Sequence, residues 1–329
     1  MIDLSIIVPT YNRLPLLKET LNSFVGLLDY SYEVIVVDDG STDGTAAYLH
    51  TLHEPIRAFF QEHKGGNTAR NYGLREARGR YVKFLDDDDW LIANMVDQQV
   101  QYLDQHPEID ICYSDFGTVL ASGDIKITNR TLNTSLDNLI VGKGRYHIGN
   151  PIHAYALRYE VACKASWDEA LSSSQDRDYF LTLALEGASF GYLPGCVAWT
   201  RHDRQRKRVT TSANRSKQAE IQRNKLVVLT KAQTTLENRG DLSAELRQLL
   251  AKRYFQLAAE LYLIINDRAE FQRWLGRIRK LYPDFRPDTR MAALLSDLIG
   301  YPLSIKVLHL RKVAKAKIAS LLGAITLCV

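Results

Sequence analysis

Four consecutive aspartates, Asp86 to Asp89, follow a short apolar segment that ends at Leu85; we call them the acid run. Carboxylates held this close repel one another, and they are stable together only when a cation or hydrogen-bond donors neutralise them. Mg²⁺ and Mn²⁺ prefer oxygen ligands, and Mg²⁺ sites commonly combine carboxylates with substrate phosphates. Most acidic runs are solvated loops, but this one ends an apolar strand. It therefore indicates a divalent cation site. An EF-hand calcium loop is excluded, because the glycine and the distal glutamate of that motif do not follow at the required spacing.

Two further polar clusters stand directly after apolar segments that favour strands. Thr10, Tyr11 and Asn12 follow LSIIVP, and the stretch Asp38 to Gly40 follows YEVIVV. In open parallel sheets, ligands bind outside the carboxyl ends of the strands. We therefore expect these clusters and the acid run to share one edge of a sheet and to form one binding site.

The elements needed to position these clusters alternate along the first half of the chain. Continuous apolar segments separated by segments with helical spacing predict a parallel sheet covered by helices on both faces. From about residue 212 onward, the composition favours helices. The predicted strands are Leu4–Pro9, Tyr32–Ser41, Ile56–Phe60, Tyr81–Leu85, Asp110–Phe116 and Phe190–Trp199, and the predicted helices before residue 200 are Leu14–Leu28, Thr42–Leu52, Asn67–Ala77 and Asp176–Glu186.

Four segments in order resemble an inverting family-2 glycosyltransferase with the GT-A fold. They are SIIVPTYNR, VVDDGSTDGT, GGNTARNYGLREARGRYVKFLDDDDW and WDEALSSSQDRDYFLTLALEG, and the resemblance spans about residues 1–205. Each segment alone is a modest signal, whereas four in this order are specific. The resemblance implies an α/β fold of the GT-A (Rossmann-like) type, with a mostly parallel sheet flanked by helices and followed by a helical C-terminal region. It also implies transfer of a sugar, with inversion, from a nucleoside diphosphate sugar to an acceptor hydroxyl.

The same resemblance implies roles for the first two polar clusters. Pro9, Thr10 and Tyr11 would line the site of the nucleotide base, with Tyr11 stacking on it. Asp39 would accept a hydrogen bond from the base, with Asp38 beside it as support. Capping of the following turn is the alternative role for one of these two aspartates.

The diphosphate and the cation would lie at the acid run. The resemblance implies that Arg70 reaches the diphosphate, a role that suits a guanidinium. Asp86 would hold the ribose and Asp88 the metal, either Mn²⁺ or Mg²⁺, with Asp87 as the middle residue of a DxD motif. Asp89 would support the loop or the acceptor side. Because all four residues are aspartates, the register stays open by one position.

The resemblance places the catalytic base in the segment SSSQDRDYF, at Asp176. A positioned general base contributes roughly 10²–10⁴-fold to a rate; the alternative for Asp176 is helix capping. Gln175 stands where family members usually carry glutamate, which either lowers the pKa of Asp176 or alters acceptor contacts. His202 corresponds to the histidine of an Arg-x-His pair and would contact the metal or the diphosphate, although the arginine is displaced or missing. His147 and His153 are interpreted as loop histidines.

The charge distribution divides the chain into two parts. Residues 1–200 carry 27 acidic and 16 basic side chains, a net charge of −11, whereas residues 201–329 carry 11 acidic and 26 basic ones, a net charge of +15. We expect a glycosyltransferase domain over 1–205 and a basic helical region over 206–329. Within the latter, residues 303–327 have an apolar stripe at helical spacing flanked by lysines. Either this helix packs on its own domain or it binds an anionic membrane surface.

The remaining sequence features bear on location and partners. The start MIDLSIIVPTYNR lacks a secretory pattern, and the four cysteines form no CxxC pair. We expect a cytoplasmic enzyme, peripheral on the inner face of the membrane, that adds sugars to glycan or lipid-linked acceptors in surface polysaccharide or glycolipid synthesis. No recognised nucleic-acid module is present, so no nucleic-acid partner is expected. The alternatives are a sugar-phosphate nucleotidyltransferase, disfavoured because Thr10 to Arg13 is not a glycine-rich phosphate loop, and a non-catalytic nucleotide-sugar binding protein.

Overall fold

The computed structural model describes residues 2–120, 122–128, 151–201, 214–287, 300–307 and 309. The chain divides into two compact units, Met1–Arg208 and Val209–Val329. Within the described residues, no helix has an apolar stretch long enough to cross a membrane. His202 and His147 lie outside the described residues, as does most of the segment 303–327, so the predictions made for them stay predictions.

Among the described residues of the N-terminal unit, nine strands form one sheet. They are β1 (Leu4–Thr10), β2 (Tyr32–Asp38), β3 (Ile56–Phe60), β4 (Tyr81–Phe84), β5 (Asp89–Leu91), β6 (Ile111–Val119), β7 (Ile125–Thr128), β8 (Tyr155–Arg158) and β9 (Phe190–Arg201). Their order is β3-β2-β1-β4-β8-β6-β9-β5, with β7 paired to β6.

The predicted fold class, a sheet flanked by helices before a helical C-terminal region, is confirmed. The sheet itself is mixed. Strands β3, β2, β1 and β4 pair in parallel, as do β6 and β9. The pairs β4–β8, β6–β8, β5–β9 and β6–β7 are antiparallel. The continuously parallel part is therefore the half built by residues 4–84, where the apolar strand signals of the sequence are strongest.

Six helices of the N-terminal unit are described, together with a single 3-10 turn at Ile152–Ala154. They are α1 (Leu14–Asn22), α2 (Thr45–Leu49), α3 (Gly66–Glu76), α4 (Ala93–Gln105), α5 (Tyr159–Ala162) and α6 (Gln175–Leu185). The sequence did not predict α4, α5 or the 3-10 turn. The interpretation of His153 as a loop histidine is wrong, because it lies in this turn and is fully buried.

The core explains why β1 has no polar face. Ile6 and Val8 belong to a buried cluster that includes Leu17 of α1 and Val96 of α4. On the opposite face, Ile7 packs against α3, where a Cβ atom built on Gly73 would lie 2.5 Å from Ile7 Cγ2. Both faces of the strand are covered, so all seven of its residues are buried.

The C-terminal unit contains three long helices among its described residues: α7 (Arg215–Arg239), α8 (Ala244–Ile265) and α9 (Arg268–Leu281). Each helix begins at an N-cap residue whose side chain accepts a hydrogen bond from an amide of the first turn. These residues are Asn214, Ser243 and Asp267. Gly240 and Asn266 end the first two in the left-handed conformation. Residues 301–307 are also helical.

Candidate functional site

The ends of three neighbouring strands bring the polar clusters together. Thr10 pairs with Asp38 in the parallel register of β1 and β2, and the Asp39 amide donates to the Thr10 carbonyl over 2.9 Å. On the other side of β1, the Leu85 amide donates to the Ile7 carbonyl over 3.0 Å. This pairing carries the chain directly into the acid run. The three clusters therefore share one edge of the sheet.

Asp39 anchors the loop that follows β3. One carboxylate oxygen accepts hydrogen bonds from the Lys64 amide at 2.8 Å and from Gln61 Nε2 at 2.7 Å. The other accepts from the Gly65 amide at 2.8 Å and lies 2.8 Å from His63 Nδ1. Most of the hydrogen-bonding capacity of this buried carboxylate is thus used within the protein.

The rim of the site beside Asp39 is aromatic. Tyr11 stacks on His63 with ring centroids 3.9 Å apart and an interplanar angle of 19°. The Tyr11 residue is 39% exposed, so the stacked pair presents a flat surface to solvent. Asp38 holds the adjacent turn, because its Oδ1 accepts from the Ser41 amide over 3.0 Å. Capping, the alternative role considered for one of these two aspartates, is therefore what Asp38 does in this structure.

Asp87 ties the end of β4 to the residues after β1. Thr10 Oγ1 donates to Asp87 Oδ2 over 2.9 Å, and Arg13 Nη1 donates to Asp87 Oδ1 over 2.9 Å. The same Arg13 nitrogen lies 3.3 Å from Asp88 Oδ2. Both Asp87 and Asp88 are buried. Arg13 was not among the residues expected from sequence.

The outer members of the acid run have separate partners. Arg70 Nη2 donates to Asp86 Oδ1 over 2.7 Å. Asp89 Oδ2 lies 2.7 Å from Nδ1 of the fully buried His153, whose Nε2 is 3.4 Å from Thr200 Oγ1. Asp89 Oδ1 is buried without a hydrogen-bond partner among the described residues.

Three carboxylates of the acid run could hold one cation. Oxygen atoms of Asp86, Asp88 and Asp89 lie within 4.8 Å of one another. Asp88 and Asp89 are buried. Asp89 Oδ1, which has no hydrogen-bond partner among the described residues, adds a buried acceptor to the group. An all-oxygen donor set of this kind fits Mg²⁺ or Mn²⁺. Asp88 was expected as a metal ligand, whereas Asp89 was expected to support the loop or the acceptor side.

Helix α3 positions Arg70 beside the acid run. The Arg70 guanidinium lies 4.9 Å from the ring centroid of Trp167, a cation–π contact, and Nη1 donates to Asn67 Oδ1 over 3.2 Å. Asn67 Nδ2 in turn donates to the carbonyls of Asp168 and Leu171 at 2.7 and 3.0 Å. Arg70 is thereby linked to the segment that leads into α6.

Asp176 lies in the first turn of α6, beside this arrangement. The N-cap residue is Ser174, in a left-handed conformation with φ of 64°, so Asp176 is not the cap. Burial raises the pKa of Asp176 to about 6. The positive charge of Arg70 opposes this rise, and the negative charge of Asp86 adds to it. The pKa of this carboxyl thus reflects both neighbouring charges as well as burial.

The acid run contains carboxylates with opposite pKa shifts. Burial favours the neutral form of Asp86, but the attraction of Arg70 outweighs it and holds the pKa of Asp86 below its ordinary value. For Asp87, burial outweighs the contacts with Arg13 and Thr10, so its pKa is raised. The difference follows from the partners, since the charge and hydrogen bond of Arg70 outweigh burial at Asp86, whereas Arg13 and Thr10 do not at Asp87, where the charge of Asp86 adds to the rise.

Comparison with known proteins identifies a family over the first half of the chain. Residues 5–161 match the model described as glycosyl transferase family 2. An uncharacterized glycosyltransferase of Rickettsia bellii is 31% identical over 190 residues, which cover 54% of this chain and 27% of the relative.

Two relatives have more specific names. The putative teichuronic acid biosynthesis glycosyltransferase TuaG of Bacillus subtilis is 36% identical over 103 residues, covering 30% of this chain and 41% of TuaG. The GalNAc(5)-diNAcBac-PP-undecaprenol beta-1,3-glucosyltransferase of Campylobacter jejuni is 37% identical over 106 residues, covering 31% of this chain and 34% of the relative. The chain thus spans less than half the length of each of these three curated relatives.

Solved structures share the fold over nearly the whole chain. The S. aureus TarS fragment 1–349, in complex with UDP-GlcNAc, has a TM-score of 0.66 at 20% identity and covers 94% of this chain and 92% of its own. A mannosyltransferase from Pyrobaculum calidifontis, in complex with GDP-Man and Mn²⁺, has a TM-score of 0.53 at 17% identity, with 92% and 86% covered. At such identities the likeness shows the fold alone. Together with the family match, it shows that this chain carries a glycosyl transferase family 2 domain of the GT-A fold.

Proposed function

We propose that the chain is an inverting glycosyltransferase that uses a divalent cation to move a sugar from a nucleoside diphosphate sugar to an acceptor hydroxyl. The observation that carries this proposal is that the charge of Arg70 acts on two carboxylates of different character. Asp86, its hydrogen-bonded partner, has a lowered pKa, whereas Asp176 has a pKa raised to about 6. Such a separation suits one carboxylate that binds charge and one that exchanges a proton.

In the proposed reaction, Asp176 accepts the proton of the acceptor hydroxyl. The acceptor oxygen forms a bond to the anomeric carbon while the bond from that carbon to the diphosphate oxygen breaks, so the configuration inverts in a single displacement. Arg70 stabilises the charge that develops on the departing diphosphate. A cation held by Asp88, with Asp86 and Asp89 beside it, would act there as a Lewis acid.

The nucleotide would lie along the strand ends, over the exposed ring of Tyr11. Pro9 and Thr10 would flank the base, and Asp39 would set the position of the 61–65 loop beside it. A uridine diphosphate sugar is the first donor to test, because the TarS fragment of similar fold binds UDP-GlcNAc. A lipid-linked acceptor is proposed because the Campylobacter relative is named for an undecaprenol-linked substrate.

Asp176→Asn tests the proposal directly. We expect its turnover with UDP-sugars and Mn²⁺ to fall by at least about 10²-fold, while the dissociation constant for UDP changes by less than about twofold. Glu186→Gln, just beyond the other end of α6, is the control and should keep both values. Unchanged turnover in Asp176→Asn would show that the base is another residue.

Assays of the wild-type protein separate the alternatives. A non-catalytic nucleotide-sugar binding protein would give no transfer in the wild type with any donor and acceptor. A sugar-phosphate nucleotidyltransferase would release pyrophosphate from a nucleoside triphosphate and a sugar phosphate, which can be measured directly. The proposal requires sugar transfer from the diphosphate sugar and no pyrophosphate release.

A further inference from the structure

Arg13 contacts Asp88, one of the three carboxylates of the acid run that could hold a cation. Its Nη1 donates to Asp87 Oδ1 at 2.9 Å and to Asp88 Oδ2 at 3.3 Å. The Arg13 side chain is 42% exposed, whereas those of Asp87 and Asp88 are 5% and 2% exposed. One half-exposed guanidinium therefore supplies positive charge to two buried carboxylates.

A divalent cation at the three-carboxylate group would compete with this contact. Asp88 belongs to that group, together with Asp86 and Asp89. The Arg13 guanidinium and a cation bound to the same carboxylate repel one another, because both are positively charged. The repulsion is strong where burial lowers the effective dielectric constant. Arg13 and the cation therefore oppose each other at Asp88.

We propose that Arg13 is the resident counter-cation of the acid run, which pairs with Asp88 in the donor-free protein and gives up this contact when a divalent cation binds. The proposal rests on the metal dependence proposed above. Arg13 is a positioning residue in this scheme, because it acts through Asp87 and Asp88.

The geometry gives Arg13 a way to leave Asp88 without leaving the site. Its contact with Asp87 is the shorter of the two, and Thr10 holds the second oxygen of Asp87 at 2.9 Å. After release, the guanidinium stays anchored to Asp87 at the strand ends. There its charge favours an incoming diphosphate. Arg13 should thus oppose the binding of the cation alone and favour the binding of the nucleoside diphosphate.

Calorimetric titration of the full chain with Mn²⁺ alone tests the first effect. Arg13→Met should bind Mn²⁺ about tenfold more tightly than the wild type, because a repelling charge has been removed. Arg80→Met is the matched control. Arg80 is also 42% exposed and bridges two carboxylates, Asp3 and Asp104, away from the acid run, so its variant should bind Mn²⁺ like the wild type.

Titration with UDP at saturating Mn²⁺ tests the second effect. We expect Arg13→Met to bind UDP several-fold more weakly, which is the opposite sign to its change in Mn²⁺ affinity. Equal or weaker Mn²⁺ binding by a folded Arg13→Met, with circular dichroism and Tm like those of the wild type, would overturn the inference. Absence of Mn²⁺ binding in every variant, both alone and in the presence of UDP, would overturn the metal dependence itself, and so distinguishes the two failures.

A measurement on the unaltered side chain covers the case in which Arg13→Met fails to fold. The Nε–H resonance of Arg13, assigned by its loss in Arg13→Lys, should shift during titration of the wild type with diamagnetic Mg²⁺. A resonance that stays fixed while Mg²⁺ binds would show that the contact with Asp88 is not broken, and the inference would then be wrong.

Discussion

At the scale of single residues, each member of the acid run has its own neighbours. Two guanidinium groups contact the run among the described residues, those of Arg13 and Arg70. When all four carboxylates are ionised, they carry four negative charges, and the two guanidinium groups carry two positive charges. One divalent cation balances the two remaining negative charges. The pairs are Asp86 with Arg70, Asp87 with Thr10 and Arg13, Asp88 with Arg13, and Asp89 with His153.

The proposed role of Asp176 as the base makes a prediction about the pH dependence of transfer. A base must be ionised, and burial raises the pKa of this carboxyl to about 6. We expect kcat/KM for the acceptor to be level above about pH 6 and to fall roughly tenfold per pH unit below it. Because Arg70 holds this pKa down, Arg70→Met should move the inflection to higher pH. A profile that stays level down to pH 4.5, in protein shown to be folded by its Tm, would contradict the assignment.

The buried pair of His153 and Asp89 makes a prediction about stability. His153→Leu leaves Oδ2 of the buried Asp89 carboxylate without its hydrogen-bond partner, which we expect to cost at least roughly 1–3 kcal/mol. Urea unfolding measures the loss. The control is His106→Leu, since His106 is 43% exposed and lies 3.2 Å from an exposed glutamate; we expect a change below about 0.5 kcal/mol. A loss below about 1 kcal/mol in His153→Leu would contradict the role given to the pair.

The residue types of the site were predictable only in part from sequence. The acid run and Asp39 are local signals, because polar residues directly follow apolar strands. His153 carries no such signal, and Arg13, although it follows the polar cluster after the first strand, gives no indication of its carboxylate partners. They lie 64 and 74 residues from the aspartates that they contact, and only the folding of the sheet brings them there. A lone histidine in a sequence more often has a structural role, so no local rule selects His153.

At the scale of elements, α3 links the sheet to the site. The helix packs on β1 through Gly73 and carries Arg70 one turn earlier. Asn71, the residue after Arg70, bonds the backbone of Trp167 through both its amide nitrogen and its oxygen. Close approach of helix and strand therefore sets the distance between Arg70 and the acid run.

Gly73→Ala tests this approach. The added Cβ atom would lie 2.5 Å from Ile7 Cγ2, so the helix or the strand must shift, and we expect a loss of about 1–3 kcal/mol in stability together with weaker UDP binding. Gly276→Ala is the matched control in α9, where a Cβ atom meets nothing within 4 Å. It should stabilise the protein by roughly 0.5–1 kcal/mol. The same sign for both variants would contradict the packing argument.

The elements that sequence predicted well are those with strong periodicity. Strands β1 to β4 are mostly apolar, and their observed bounds agree with the predicted ones to within one residue, except that β2 ends at Asp38 rather than Ser41. Helix α4 was missed although Val96, Val100 and Leu103 are buried at helical spacing, because polar residues outnumber apolar ones in this segment. Strands β5, β7 and β8 have only three or four residues each. Their pairing with distant strands, which no local pattern reveals, determines them.

At the scale of the whole molecule, charge distinguishes the two parts of the chain. The acidic part coincides with the family-2 domain, and the basic part begins near the boundary between the two compact units. Association with a membrane is one use of such a distribution, because anionic lipid attracts basic segments without disturbing an acidic site that binds cations. This use remains a prediction.

The segment 303–327 is where this prediction can be tested. It contains five lysine and arginine residues, no acidic residue, and an apolar stripe at helical spacing. Each basic residue near an anionic surface contributes about 1 kcal/mol, so the full chain should sediment with vesicles containing phosphatidylglycerol, less so as salt is raised. A chain ending at Pro302 should lose at least about tenfold in vesicle affinity while it keeps its affinity for UDP. Equal sedimentation of the two chains would assign the membrane contact to another surface, and binding of both to neutral phosphatidylcholine vesicles would exclude the electrostatic mechanism.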